Sequence, residues 1–167
     1  EHKRNRSVAP GRNATWSFED RLTMQYQVQE MLRVERIFEA DAIQEELDSY
    51  NPLIPDGHNW KATFLLEFPD ADERRERLSQ LKGVEDRCWV QVAGFDRVWA
   101  IADEDLEREN DDKTSSVHFL RFELSPQMCA QVKAGAAIGA GIDHDNYRHA
   151  LASLPQNVRD SLAKDLA

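Results

Sequence analysis

The stretch Trp60-Lys61-Ala62-Thr63-Phe64-Leu65-Leu66-Glu67-Phe68 decides the fold class. Trp60, Ala62, Phe64, Leu66 and Phe68 recur at every second position, with Lys61, Thr63 and Glu67 between them. A period of two places the apolar set on one face of a strand and the polar set on the other. A strand apolar on one face only belongs to an antiparallel sheet that covers a core on that face. Pro69-Asp70 stops the strand. A charged surface helix follows from Asp70 to Lys82, with Asp70 as its N-cap and Gly83 near its C-cap.

Reading outward from this strand gives the rest. Upstream, a helix is expected over Phe18–Ile37, where Met24, Val28, Met31 and Leu32 share one side of a helical wheel. Leu22, Tyr26, Val34 and Ile37 add apolar surface on other sides, which marks a central rather than a peripheral helix. A second helix begins near Ala40 and ends before Tyr50-Asn51-Pro52, and Asn51 to Gly57 reads as a loop restricted by two prolines. Downstream, Arg87–Val92 and Arg97–Ala102 flank Ala93-Gly94-Phe95-Asp96 as a hairpin. Val117–Leu124 is a further strand, and Ser125-Pro126 opens a helix to about Ala134. Ala136–Ile142 reads as a strand of small residues. Asn146–Ala152 and Gln156–Leu166 read as terminal helices divided by Pro155. The expected fold is α+β: a mostly antiparallel sheet of about five strands packed against a long central N-terminal helix, with C-terminal helices. At roughly 100–200 residues per domain, residues 1–167 form one domain.

Composition bounds the function classes. The chain has 31 acidic and 21 basic residues and a formal charge of −10. That balance repels nucleic acid and anionic membrane, and no apolar run approaches a membrane span. Two cysteines, Cys88 and Cys129, make no disulfide framework, which points to a reducing, cytoplasmic compartment. The chain opens Glu1-His2-Lys3 without an initiator Met, so it is expected to be the ordered or processed part of a longer one.

The fingerprints of common hydrolases, P-loop proteins, dinucleotide binders and zincins are absent, so candidate chemistry rests on clusters. The densest acidic run is Asp103-Glu104-Asp105-Leu106-Glu107-Arg108-Glu109-Asn110-Asp111-Asp112. It is no EF-hand, because Arg108 and Thr114 stand where that loop needs Gly and Glu. It reads as a solvated loop or as a docking patch for a basic partner. Glu30 lies on a partly apolar helix face, where it needs an arginine or a metal. His118 shares a strand face with Leu120 and Phe122, with Asp112 to Ser116 as a polar rim. His144 and His149 have spacing seen for zinc pairs, and Asp143 or Asp145 could orient an imidazole. Glu30, His118, His144 and His149 are therefore the candidate ligands for a transition metal, iron or zinc. Arg33, Lys113 and Arg121, with Lys61, are the candidates for binding a small anion, because guanidinium forks suit carboxylate and phosphate.

Several segments together resemble the bacterial domain-of-unknown-function family 3501. They are Glu19-Asp20-Arg21, Tyr26 to Arg33, Tyr50 to Gly57, Ile101 to Arg108, Asp112-Lys113-Thr114, Val117 to Phe122, Asp143-His144 and Tyr147-Arg148-His149. The resemblance covers nearly the whole chain. It implies proximity to rubrerythrin-like proteins and iron–sulfur proteins, whose genes often neighbour the family's. That setting implies an accessory protein of a redox or oxidative-stress system, acting through protein contact with the 103–112 run as one docking surface. The alternatives are a metal-binding protein or metal-dependent enzyme with a Glu/His site, and a binder of a small anion. The reaction, if there is one, the substrate and the oligomeric state stay open, a homo-oligomer included.

Overall fold

The computed structural model describes residues 1–167. Nine strands form two antiparallel sheets. The first holds β1 (Ser7–Val8), β2 (Ala14–Glu19), β3 (Asn59–Leu66), β7 (Val117–Glu123) and β6 (Ile101–Ala102), in that spatial order. The second holds β5 (Val98–Trp99), β4 (Cys88–Val92), β8 (Ile138–His144) and β9 (Tyr147–Leu151). The helices are α1 (Arg21–Val34), α2 (Ala40–Tyr50), α3 (Ala71–Gln80), α4 (Pro126–Lys133) and α5 (Gln156–Ala163). No helix is long and apolar enough to cross a membrane.

The α+β, antiparallel reading holds, with the strands divided between two sheets. The alternation of Trp60 to Leu66 is the alternation of burial along β3, which pairs with β2 on one side and β7 on the other. Trp16 and Phe18 from β2 meet Trp60 and Phe64 from β3 and Phe122 from β7, with ring centroids 5.5–6.4 Å apart. Edge and tilted contacts at such distances are favoured by the ring quadrupoles. The core of 28 buried residues continues from these rings to Val90, Val92, Ile138 and Ile142 of the second sheet. Leu78 of α3, Val132 of α4 and Leu162 of α5 close it.

The long central helix is not there. Ala14 to Glu19 is a strand, with Ala14, Trp16 and Phe18 alternating inward, so the helix cannot begin at Phe18. It begins where Asp20 caps it. The Asp20 carboxylate accepts from the Thr23 N–H at 2.9 Å, and Thr23 Oγ1 accepts from the Asp20 N–H at 2.9 Å. Such a reciprocal cap satisfies two otherwise orphaned donors. Only Thr23, Met24 and Val28 of α1 are buried. Leu22, Tyr26 and Val34 are exposed, so apolar residues on several sides here mark a peripheral helix with unpartnered surface.

Asn146 to Ala152 is a strand rather than a helix. Asp145-Asn146 forms the two-residue turn of a hairpin between β8 and β9, and residues 147–151 fill the open edge of β8. Asn and Asp favour such turns, and an unpaired edge rewards pairing more than an isolated short helix is rewarded. The 87–102 hairpin is found at β4–β5, but the chain then crosses to the first sheet, where Ile101 and Ala102 pair with β7. The readings at Asp70 and Ser125 hold: each caps its helix, accepting from the N–H of Glu73 and Met128 respectively.

Glu19 closes β2 from inside. Its carboxylate accepts from Thr23 Oγ1 at 2.9 Å, and burial holds its pKa above the ordinary 4.5. A carboxyl that keeps its proton longer in the folded state stabilises fully below the unfolded value, and that contribution is lost as pH rises through the folded value. The stability difference between the parent and Glu19→Gln should therefore fall as pH rises from about 4 to about 7. Urea midpoints across that range check this, and a difference that stays flat or grows would contradict it.

Candidate functional site

His118 lies on β7 opposite Phe64 of β3 and is fully buried. A buried imidazole needs partners on both nitrogens. Nδ1 meets Asp103 Oδ2 at 2.6 Å. Nε2 meets Thr114 Oγ1 at 2.9 Å and the Ser115 carbonyl at 3.0 Å. Glu85 Oε2 stands 3.8 Å from the same nitrogen and accepts from the Thr114 hydroxyl at 3.4 Å.

Each of these groups is brought in by a distinct device. Asp103 follows the short strand β6, and its backbone turns left-handed there, at φ 51°. Asp tolerates that conformation better than most residues. The turn lets its second oxygen accept from the Phe119 N–H at 2.9 Å and from Arg108 at 3.2 Å. Glu85 sits in a 3₁₀ turn between α3 and β4, which begins after Gly83 at φ 81°. Thr114 is held by its N–H bond to the Leu78 carbonyl at the end of α3.

Glu85, Asp103 and His118 are the one group of three His, Cys or acidic residues whose ligand atoms lie within 4.8 Å of one another. The electrostatics around them are lopsided. Burial raises the pKa of Glu85, and repulsion from Glu109 and Asp86 raises it further. Burial, then Glu109 and Asp103, raise the Asp86 pKa in the same way. Arg108 is the nearby guanidinium, and it is shared with Asp105, whose pKa its hydrogen bond lowers to about 2.

Of the four ligands expected from the sequence, only His118 is in this group. Glu30 is on the surface of α1, bonded to Arg33 at 2.9 Å, which is the ion pair its position called for. Its helix is peripheral, so no burial demands a metal. His144 ends β8, where Nε2 donates to the Lys82 carbonyl at 2.7 Å and Nδ1 accepts from the Asn146 N–H. His149 is exposed on β9. Their pairing rested on spacing alone, and the hairpin sets His144 opposite Tyr147 and His149 opposite Ile142 rather than opposite each other.

The anion candidates also separate. Arg121 is clamped between Glu104 and Glu123, in a groove of about 480 Å³ that it shares with Lys61. Lys113 lies in a second cleft of about 480 Å³, beside Arg74 and Thr114. Arg33 lies in neither. The polar rim expected around His118 is real, and Thr114 and Ser115 are its contacting members. Glu85 carries no signal in the sequence, because two adjacent acids, Glu85-Asp86, between Val84 and the Cys88 strand make no pattern. Asp103 was read as solvated, whereas its side chain is only 8% exposed.

The rest of the acidic run faces outward, with Glu104, Asp105, Glu107, Asp111 and Asp112 exposed. The end of α2 lies beside it: Asp48 and Tyr50 share a groove with Glu104, Asp105 and Arg108. Helix α2 carries Asp41, Glu45, Glu46 and Asp48 and buries no residue. The two segments make one acidic face.

A comparison with curated proteins finds no match. A crystal structure from Burkholderia pseudomallei K96243, described as a novel protein of unknown function, is similar with a TM-score of 0.94 and 49% sequence identity. The similarity covers 99% of this chain and 86% of that one. The profile of the family described as protein of unknown function, DUF3501, matches residues 1–166, and the chain belongs to that family.

Proposed function

We propose that the chain is an accessory protein that works by docking a basic partner on the acidic face formed by α2 and residues 104–112. The observation that supports this is the continuity of unpaired charge. Glu104 and Asp105 have arginine partners, but Asp41, Glu45, Asp48, Glu107, Asp111 and Asp112 are exposed without one. Holding so many like charges together costs self-repulsion that a basic surface would relieve. Phe38, 82% exposed just before α2, offers an aromatic anchor beside the N-terminus of that helix. Aromatic residues rimmed by charge are common in interfaces. The family resemblance supplies the setting: rubrerythrin-like and iron–sulfur proteins are the partners to try first.

The test is binding between this chain and a rubrerythrin-like protein, and between it and an iron–sulfur protein, each from the same genome. Titration calorimetry at about 20 and about 300 mM salt, either side of a Debye length near 10 Å, reads the electrostatic part. Affinity should fall at least about tenfold at the higher salt, and Glu45→Lys/Asp48→Lys should lower it similarly at low salt. Absence of binding at low salt, or binding indifferent to both changes, rejects the reading.

A further inference from the structure

We propose that His118, Glu85, Thr114 and Ser115 form a binding site for a divalent first-row transition ion, with Asp103 orienting the imidazole from behind. The ion would take His118 Nε2, Glu85 Oε2, Thr114 Oγ1 and the Ser115 carbonyl as ligands.

The distances on the Nε2 side carry the argument. Two ligands bound to one ion at about 2.0–2.2 Å stand about 2.8–3.8 Å apart, for angles between about 90° and 120°. The measured separations are 2.9 Å from Nε2 to Thr114 Oγ1 and 3.0 Å to the Ser115 carbonyl. Those from Glu85 Oε2 are 3.4 Å to Thr114 Oγ1 and 3.8 Å to Nε2. All four fall in that window. The Nδ1 side has the form that metal-ligating histidines require. Asp103 accepts the Nδ1–H at 2.6 Å, which leaves Nε2 as the coordinating nitrogen, and its other oxygen is itself fixed by Phe119 and Arg108.

The charge balance points the same way independently. Four carboxylates, Glu85, Asp86, Asp103 and Glu109, repel one another here. Arg108 is the guanidinium that faces them, and it is divided between Asp103 and Asp105. Glu85 is the under-served member: buried, with one long hydroxyl contact, its own backbone N–H and no Lys or Arg. Buried carboxylates call for a cation. Two of the four ligand residues, Thr114 and Ser115, line a cleft that opens to solvent. One imidazole with oxygen ligands suits Mn²⁺, Fe²⁺, Co²⁺ or Zn²⁺ better than Ca²⁺ or Mg²⁺.

The experiment uses the full chain, stripped with chelator and titrated by calorimetry with Zn²⁺, Mn²⁺ and Co²⁺ separately, with Co²⁺ also followed by its visible absorption. One ion per chain is expected for at least one of the three. Glu85→Gln keeps size and hydrogen bonding while removing the charge, and should weaken binding at least about tenfold. Asp103→Asn should weaken it about 10–100-fold through the imidazole. His144→Ala/His149→Ala should bind as the parent does. The proposal is overturned if no ion binds the stripped chain, if Glu85→Gln binds as tightly as the parent, or if the His144/His149 variant loses the ion. Circular dichroism of Glu85→Gln separates lost binding from lost fold. Because the readout is the ion itself, failure here leaves the docking face standing, and the converse.

Discussion

Replacing Trp60 by alanine should cost about 3–5 kcal/mol of folding stability, the range for deleting a large buried aromatic. Trp60 is fully buried on β3, and its ring meets Phe18 edge-on at 6.4 Å. Its indole N–H also donates to the Leu162 carbonyl at 3.0 Å, tying the first sheet to α5. The truncation therefore opens a cavity and strips the Leu162 carbonyl of one partner in one change, leaving it the Asp165 N–H at 3.1 Å. Trp16, equally buried, is the comparison, because its indole nitrogen has no hydrogen-bond partner. Trp60→Phe loses a bond that Trp16→Phe does not, and should be worse by about 1 kcal/mol. Urea denaturation followed by circular dichroism measures both, and the opposite ordering would refute the role given to the Leu162 bond.

The second large effect is at Arg6. Its guanidinium, 2% exposed, bonds to the Phe18 carbonyl at 2.9 Å, the Glu19 carbonyl at 3.1 Å, Ser161 Oγ at 3.0 Å and the Asp165 carboxylate. One side chain thus joins the first residues to β2 and to the segment following α5. Removing one partner of a buried ion pair costs about 3–5 kcal/mol, because the other charge stays buried and uncompensated. Burial already raises the Asp165 pKa, with Arg6 opposing it, so Arg6→Met should raise it further. The double variant Arg6→Met/Asp165→Asn should recover part of the loss, since the Asp165 charge is removed with its partner; Asp20, 3.5 Å from Arg6, keeps its contact with His2. If the double variant is as unstable as the sum of the two single ones, the charge is not what Arg6 answers to, and its carbonyl contacts are.

The sequence disclosed those parts of the fold whose signal is local. The β3 alternation, the caps at Asp70 and Ser125 and the β4–β5 turn are each written within a few residues. Strand β2 carried an equally clean alternation, Ala14-Thr15-Trp16-Ser17-Phe18, masked by the helical signal that begins two residues later. Strand β9 was illegible because its reason to exist is an edge supplied by β8, and pairing partners are not visible in one segment alone. The candidate site divides likewise. His118 could be found from its strand face, and Thr114 and Ser115 from proximity in sequence. Glu85 and Asp103 are 33 and 15 residues from His118 in sequence and reach it only through β4, β6 and β7 assembling. The inward turn of Asp103 depends on a left-handed backbone that no composition count reveals.

The loose attachment of α2 has a dynamic consequence. The helix buries no residue, and a groove of about 650 Å³ separates its Ile43 and Leu47 from Met24 and Val28 of α1. With so little apolar area to expose, α2 opens at a fraction of the global unfolding free energy, as a local unit of its own. Its amides should exchange with solvent first, and a protease should cut there before the sheets loosen. A partner seated on α2 would slow both by holding closed what the core leaves free, and would bind more weakly by the cost of that ordering.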